Sequence, residues 1–409
     1  MKVAHFGNMA NDAYVVVKAL QQRHYDCDLY VETPQHVASF PQWEDCSLTM
    51  EEIGKSPYGT DYRLINKDFE CPEWLKFVGP LNTPFSLKTV SRLPAFPGLS
   101  ILETYRSVLR FAIWKTRNFI SPHDFLSIMK DYDVVVTHVP YSQYAMKVKQ
   151  HYIAFDAGLI RYFRDKSFSM FDQMRMKILE FSYRKASLIM ATNIDTFVLY
   201  KQIGLTNWKF MPFLINTDRY KPMKVDNPLP YEYVIFHPTR QYWKEKANHL
   251  LIQAFAKFHK EQKDSVLVMV NWGDDLKKSK ELISKLGLNE NVIFSGLMSK
   301  PHLIRWFNLA TVVADQFILK GAGTTVWESM ACSKPTIISL DNKCAMEAYG
   351  EVPPRLYGDS VDSILNQLLL CLDKGFREKI GFASREWVLK HHSPDIVAKR
   401  HMEAYKGMA

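Results

Sequence analysis

Twice along the chain, short apolar runs alternate with stretches of helical pattern, and a proline-bearing break separates the two series. The first series predicts strands at 2–6, 27–31, 133–138, 152–155 and 188–192, with a helix over 12–23 and further helical segments between them. The second predicts strands at 233–237, 265–271, 291–295, 311–317 and 335–339, with helices at 247–261, 276–286 and 301–308. Runs such as Val134-Val135-Val136 are apolar without polar alternation, as in parallel strands covered on both faces. Strand and helix in turn, repeated this way, predict two doubly wound α/β domains. Ligands of open α/β sheets bind beyond the strand carboxyl ends, and clefts between domains collect them. The expected site is therefore a cleft between the two sheets.

Length agrees, since 409 residues exceed what one ordinary core organises. Residues 32–100 are rich in proline, aromatic and polar side chains and read as long loops with short elements. Residues 222–230 read as a linker, and 375–408 as helices with exposed Lys and Arg. Hydrophobic content of 47% with 23% charged residues fits a folded chain rather than a disordered one. The six cysteines are scattered with no C-x-x-C pair, which argues against a disulfide framework or zinc site and for a reducing compartment. The start MKVAHFGNMAND lacks a signal-peptide pattern, and no run of eighteen apolar residues occurs, so a cytoplasmic protein is expected. The net charge of +9 is spread along the chain. Without a dense basic block interleaved with aromatics, nucleic acid is not an expected partner.

Four stretches carry chemistry. The first is KGAGTTVWESMACSKP at 320–335. A strand end, a Gly-Ala-Gly turn and a helix start near Thr325 would set free N–H groups and the positive end of the helix dipole toward a phosphate. Thr325-x-x-Glu328 also has the spacing of a capping box, and helix initiation alone accounts for it. The second is His237–Lys246, where Arg240 and Lys246 lie on a strand-to-helix turn and suit a diphosphate, the one as a planar fork and the other as a point charge. Two solvated surface charges are the plainer alternative. The third is DVVVTHVP at 133–140, with His138 just past a strand end. A lone histidine there is commonly a hydrogen-bonded structural residue. The fourth is the Gly7-Asn8 turn after the first strand.

Taken in order, these stretches resemble the retaining, nucleotide-sugar-dependent glycosyltransferases of the GT-B fold, family-4 type. GTTVWESMACSKP at 323–335 is similar to that family's G-x-x-x-x-E-A-M-A-C-G-x-P. The resemblance implies that Gly323, Thr324 and Thr325 hold the phosphate of the nucleotide sugar and Glu328 its ribose hydroxyls. It implies that Arg240 and Lys246 neutralise the departing diphosphate, that His138 contacts the transferring sugar, and that Gly7 lies near both phosphate and acceptor. NVIFSGL at 291–297 is similar to a turn that reads the nucleobase, which places Leu297 at the base. Pro212–Pro222 resembles the hinge between the domains, with Phe213 and Leu214 in place of an Asn-Gly pair.

On this reading the fold is GT-B: two doubly wound Rossmann-like domains facing a cleft. The acceptor-side domain is 1–215, the nucleotide-sugar domain 222–385, and 386–409 a C-terminal helix that packs back on the first. Two departures stand out. Lys320 occupies the position of a family glutamate that binds a sugar hydroxyl, and a lysine cannot accept a hydrogen bond. It suits phosphate or an acidic sugar, with Asp315 as an alternative carboxylate. Ala157 replaces a family histidine. The expected activity is retaining transfer from a nucleotide-diphosphate sugar, as co-substrate, to a glycan or lipid-linked saccharide. No other cofactor and no metal is called for. The Asp-x-Asp pairs at 26–28 and 131–133 fall at strand starts, away from the cleft. Arg106, Arg110 and Arg117 within 102–118 suggest either a solvated face or peripheral membrane contact. The alternatives are a non-catalytic, nucleotide-sugar-binding partner subunit and a GT-B nucleotide-sugar epimerase. A dinucleotide oxidoreductase is disfavoured, because no G-x-G-x-x-G follows the first strand.

Overall fold

The computed structural model describes residues 1–32, 36–48, 53, 69–78, 123–148 and 151–408. The basic stretch 102–118 and much of 32–100 lie outside the described residues. The first sheet contains β1 Val3–Phe6, β2 Cys27–Glu32, β3 Leu75–Val78, β4 Val134–Thr137, β5 Ile153–Asp156, β6 Leu188–Ala191 and β7 Trp208–Phe210. Its order is β3-β2-β1-β4-β5-β6-β7, parallel throughout. The second contains β8 Tyr233–His237, β9 Ser265–Val270, β10 Val292–Ser295, β11 Val312–Ala314, β12 Thr336–Ile338 and β13 Leu356–Tyr357. It repeats the pattern as β10-β9-β8-β11-β12-β13.

Each sheet therefore reverses its strand order once, between β1 and β4 and between β8 and β11. At such a point the chain leaves neighbouring strands in opposite directions and opens a crevice at their carboxyl ends. The central strands fold this way because both faces are covered. All of β4 and all of β9 are buried, as continuous apolar runs demand. The edge strands β3, β7 and β13 were not legible, being two to four residues long and identified only by their pairing.

One apolar cluster runs from Ala4 and Phe6 of the first sheet through Phe213 and Ile215 to Val234 of the second sheet and Trp327 of the helix Thr324–Ala331. The chain crosses between the sheets twice, and the crossings are tied together. Ile215 N–H donates to the His392 carbonyl at 2.9 Å, and His392 Nδ1 donates to the Phe213 carbonyl at 2.8 Å. The helix Lys374–His392 runs unbroken through residue 385. The helix Pro394–Lys406 then buries Val397, Ala398, Met402 and Tyr405 in the core formed by β1, β2 and the helix Asp12–Gln21.

Candidate active site

At the second reversal, β8 ends in His237, whose ring is wholly buried. Its Nδ1 donates to the Ala314 carbonyl of β11 at 2.6 Å, and Asn248 bonds its Nε2 at 2.7 Å. Burial holds the imidazole down at about 4, so it stays neutral and staples the two strands. The chain beyond it carries Arg240 and Lys246. Arg240 is half-exposed, lies 4.9 Å over the Tyr242 ring, and pairs loosely with Glu245 at 3.5 Å. Lys246 is deeper. Its ammonium donates to Gln316, and burial lowers its pKa, with Arg240 and Arg161 pushing the same way and Asp315 opposing. Gln316 is itself fixed by the Gly321 carbonyl at 2.6 Å. Arg240 and Lys246 are thus two cations on one turn, close enough to repel.

The helix Thr324–Ala331 starts beside them. Gly323 is its N-cap and no side chain caps the start, so the first N–H groups keep no intrahelical partner. A Cβ at Gly323 would meet nothing within 4 Å, so the approach to those groups is open. The capping box suggested by Thr325 and Glu328 does not form. Thr325 Oγ1 instead donates to Asp315 Oδ2 at 2.6 Å, and Glu328 turns to the Lys300 ammonium. Only 4% of Glu328 is exposed, and its second oxygen, Oε2, is buried without a hydrogen-bond partner. The helix is held by Trp327, which stacks 5.2 Å from Trp387 and 4.7 Å from His392. Each such pair is worth about 0.5–1.5 kcal/mol beyond burial.

The first reversal carries Gly7 and His138. Gly7 has φ +89°, and a Cβ there would meet the Tyr141 ring at 2.8 Å, so no other residue fits without displacement. His138 N–H donates to the Phe6 carbonyl at 2.8 Å, which fixes the turn after β4 against β1. Its imidazole is 2% exposed, with Nε2 at 3.2 Å from His5 Nδ1, and burial holds it down at about 3.

Residues 224–351 match the family model described as glycosyl transferases group 1. That match falls on the strands and helices of the second sheet. An uncharacterized glycosyltransferase of Methanocaldococcus jannaschii is 28% identical over 166 residues, a match covering 40% of this chain and 42% of that protein. Among solved structures, Anabaena HepE in complex with UDP-glucose superposes with a TM-score of 0.65 at 13% identity over the whole of both chains. Sucrose-phosphate synthase of Thermosynechococcus elongatus gives 0.63 at 13% identity, covering 100% of this chain and 99% of that one. These likenesses establish the GT-B fold for the chain as a whole.

The second sheet's domain meets the first sheet's domain through groups most of which sequence reading missed. Lys300, Glu328, Asp12 and Glu44 gather in a buried cluster of one cation and three carboxyls. With Asn216, Tyr220 and Thr324 they line a cavity of about 20 Å³. Burial raises Asp12 to about 8 and Glu44 to about 7, with Lys300 opposing and Glu328 adding to the rise. Elsewhere on the same boundary Tyr162 donates to Glu245 at 2.8 Å. Asp195, paired with Arg161 at 2.6 Å, presses on Gly321. No local motif marks Lys300, Asp12, Glu44, Tyr162, Arg161 or Asp195, because the groups they meet across the boundary lie far away in sequence. Leu297 packs against the cluster of Val37, Phe40, Trp43, Leu48 and Ile53 from the first domain. Lys320 has a side chain 43% exposed that turns to Tyr357 at 3.0 Å and Asp359 at 3.2 Å. Among the described residues, no helix is long and apolar enough to cross a membrane.

Proposed function

We propose that the chain is a retaining glycosyltransferase that moves a sugar from a nucleotide-diphosphate sugar to a hydroxyl of a glycan or lipid-linked saccharide. The observation that carries this reading is the grouping of Arg240, Lys246 and the uncapped start of Thr324–Ala331 at the second strand reversal. Two cations and a helix start form an anion site suited to a diphosphate. The nucleotide sugar lies on the second domain, with Glu328 Oε2 facing the ribose and Leu297 the base. The acceptor enters from the first domain, where Gly7 lies near both phosphate and acceptor and His138 contacts the transferring sugar.

In the reaction the bond from the anomeric carbon to the diphosphate oxygen breaks, and the charge appearing on that oxygen meets Arg240, Lys246 and the helix N–H groups. The acceptor hydroxyl attacks from the face the diphosphate leaves, held there by both domains. Its proton passes to the departing diphosphate. The chain works in the cytoplasm, at a membrane surface where the acceptor is lipid-linked. The test is turnover of a panel of UDP-, GDP- and ADP-sugars, followed by NMR of the product's anomeric proton. Transfer or slow hydrolysis with the anomeric configuration kept supports the reading, and inversion overturns the retaining mechanism.

A second reading is a binding-only partner subunit. It is favoured by Lys320, which offers no acceptor and is occupied by Asp359 and Tyr357. Turnover of any nucleotide sugar by the purified chain sinks it.

A further inference from the structure

Four buried side chains form a line beneath the first reversal. His138 Nε2 lies 3.2 Å from His5 Nδ1, His5 Nε2 lies 2.8 Å from the Tyr405 hydroxyl, and that hydroxyl lies 2.9 Å from His401 Nδ1. The far end is bare: His401 Nε2 is buried and has no hydrogen-bond partner. Tyr405 and His401 belong to the C-terminal helix Pro394–Lys406, and Tyr405 is 400 positions from His5.

Burial depresses all three imidazoles, His138 and His401 to about 3, so each is neutral and carries one N–H. That leaves two ways to order the protons. If His5 donates from Nδ1, then His138 Nε2 accepts, Tyr405 donates to His5 Nε2, and His401 donates from Nδ1 to the tyrosine oxygen. If His5 donates from Nε2, every bond reverses, and His401 must carry its hydrogen on Nε2, where nothing accepts it. A buried N–H without an acceptor is the rarer and costlier outcome. The first order leaves only a lone pair there, and puts its own unpartnered N–H on His138 Nδ1, which unlike His401 Nε2 is not fully buried and can donate to water in the crevice.

We propose that Tyr405, His401 and His5 are positioning residues that fix His138 as the Nδ1–H tautomer, presenting a hydrogen-bond donor rather than an acceptor at the strand reversal. His138 Nδ1 has no partner among the described residues, so its N–H stays unclaimed by the protein. The C-terminal helix thereby sets the protonation pattern of a residue in the first domain's crevice. The catalytic consequence rests on the transferase reading above, whereas the tautomer assignment does not.

The test is long-range proton–nitrogen NMR on the full chain labelled with nitrogen-15 in histidine, in wild type and in Tyr405→Phe. The expected wild-type result is the Nδ1–H pattern for His5, His138 and His401 at pH 7. In Tyr405→Phe, His5 and His138 lose the single pattern. Wild-type His138 in the Nε2–H form overturns the proposal, and so does a His138 pattern unchanged in a folded Tyr405→Phe. If that variant does not fold, the wild-type spectrum decides alone. In turnover assays, Tyr405→Phe lowers kcat about tenfold or more, the scale that lost placement costs, with KM for the nucleotide sugar within about twofold. A chain inactive on every nucleotide sugar sinks the transferase reading and leaves the tautomer result in place.

Discussion

Glu328 gives one carboxylate oxygen to the Lys300 ammonium and keeps the other buried and unpartnered. Lys300 is the cation in direct contact with Glu328, and Asp12 and Glu44 lie close by. Burial alone would lower its pKa, but Glu328 and then Glu44 outweigh that and hold it above the usual lysine range. Lys300→Met removes the cation and leaves the carboxyls facing one another. Breaking one side of a buried pair costs about 3–5 kcal/mol, so urea unfolding is expected to show a loss of that order. Unchanged stability would show that the cluster relaxes without Lys300.

The same cluster makes stability depend on pH. Asp12 and Glu44 are raised to about 8 and about 7 in the folded chain, whereas unfolded carboxyls titrate near 4. Between these values the folded chain binds more protons, so stability falls as pH rises from about 5 to 8. Melting temperature is expected to be higher at pH 5.5 than at pH 8. The double variant Asp12→Asn, Glu44→Gln is expected to flatten that slope. A slope identical to wild type would contradict the assignment.

Gly321 backs onto the first domain so closely that a Cβ would lie 2.0 Å from Asp195 Oδ1 and 2.7 Å from its carboxyl carbon. Asp195 cannot yield while keeping its two-pronged hold on Arg161 at 2.6 and 3.0 Å. Gly321→Ala is therefore expected to destabilise by about 1–3 kcal/mol, the range for forced overpacking. Asp195→Ala in the same background should recover part of that loss. Calorimetric melting of the single and double variants measures both.

Much of the fold was legible because parallel strands covered on both faces leave continuous apolar runs. Val134–Thr137 and Ser265–Val270 are of this kind, and their helices follow at regular spacing. The helix start at Thr324 was legible from its glycines, but the role of Glu328 within the chain was not. The capping-box spacing is local, whereas its actual partner, Lys300, sits on another helix and matches no motif. His138 was visible as a strand-end histidine, yet its surroundings were not, because His5, His401 and Tyr405 meet it only after the chain has crossed back. Lys320 could be singled out as a lysine, while its pairing with Asp359 depends on β13, a two-residue strand with no pattern to read.

The central claim is that Arg240, Lys246 and the start of Thr324–Ala331 hold a nucleoside diphosphate. Titration calorimetry with UDP, GDP and ADP on wild type and on Arg240→Ala and Lys246→Ala tests it most directly. A charge-assisted bond contributes about 1.5–3 kcal/mol, so each variant is expected to bind the preferred diphosphate about 10- to 100-fold more weakly. Wild-type chain that binds none of the three, or variants that bind as tightly as wild type, would contradict the account.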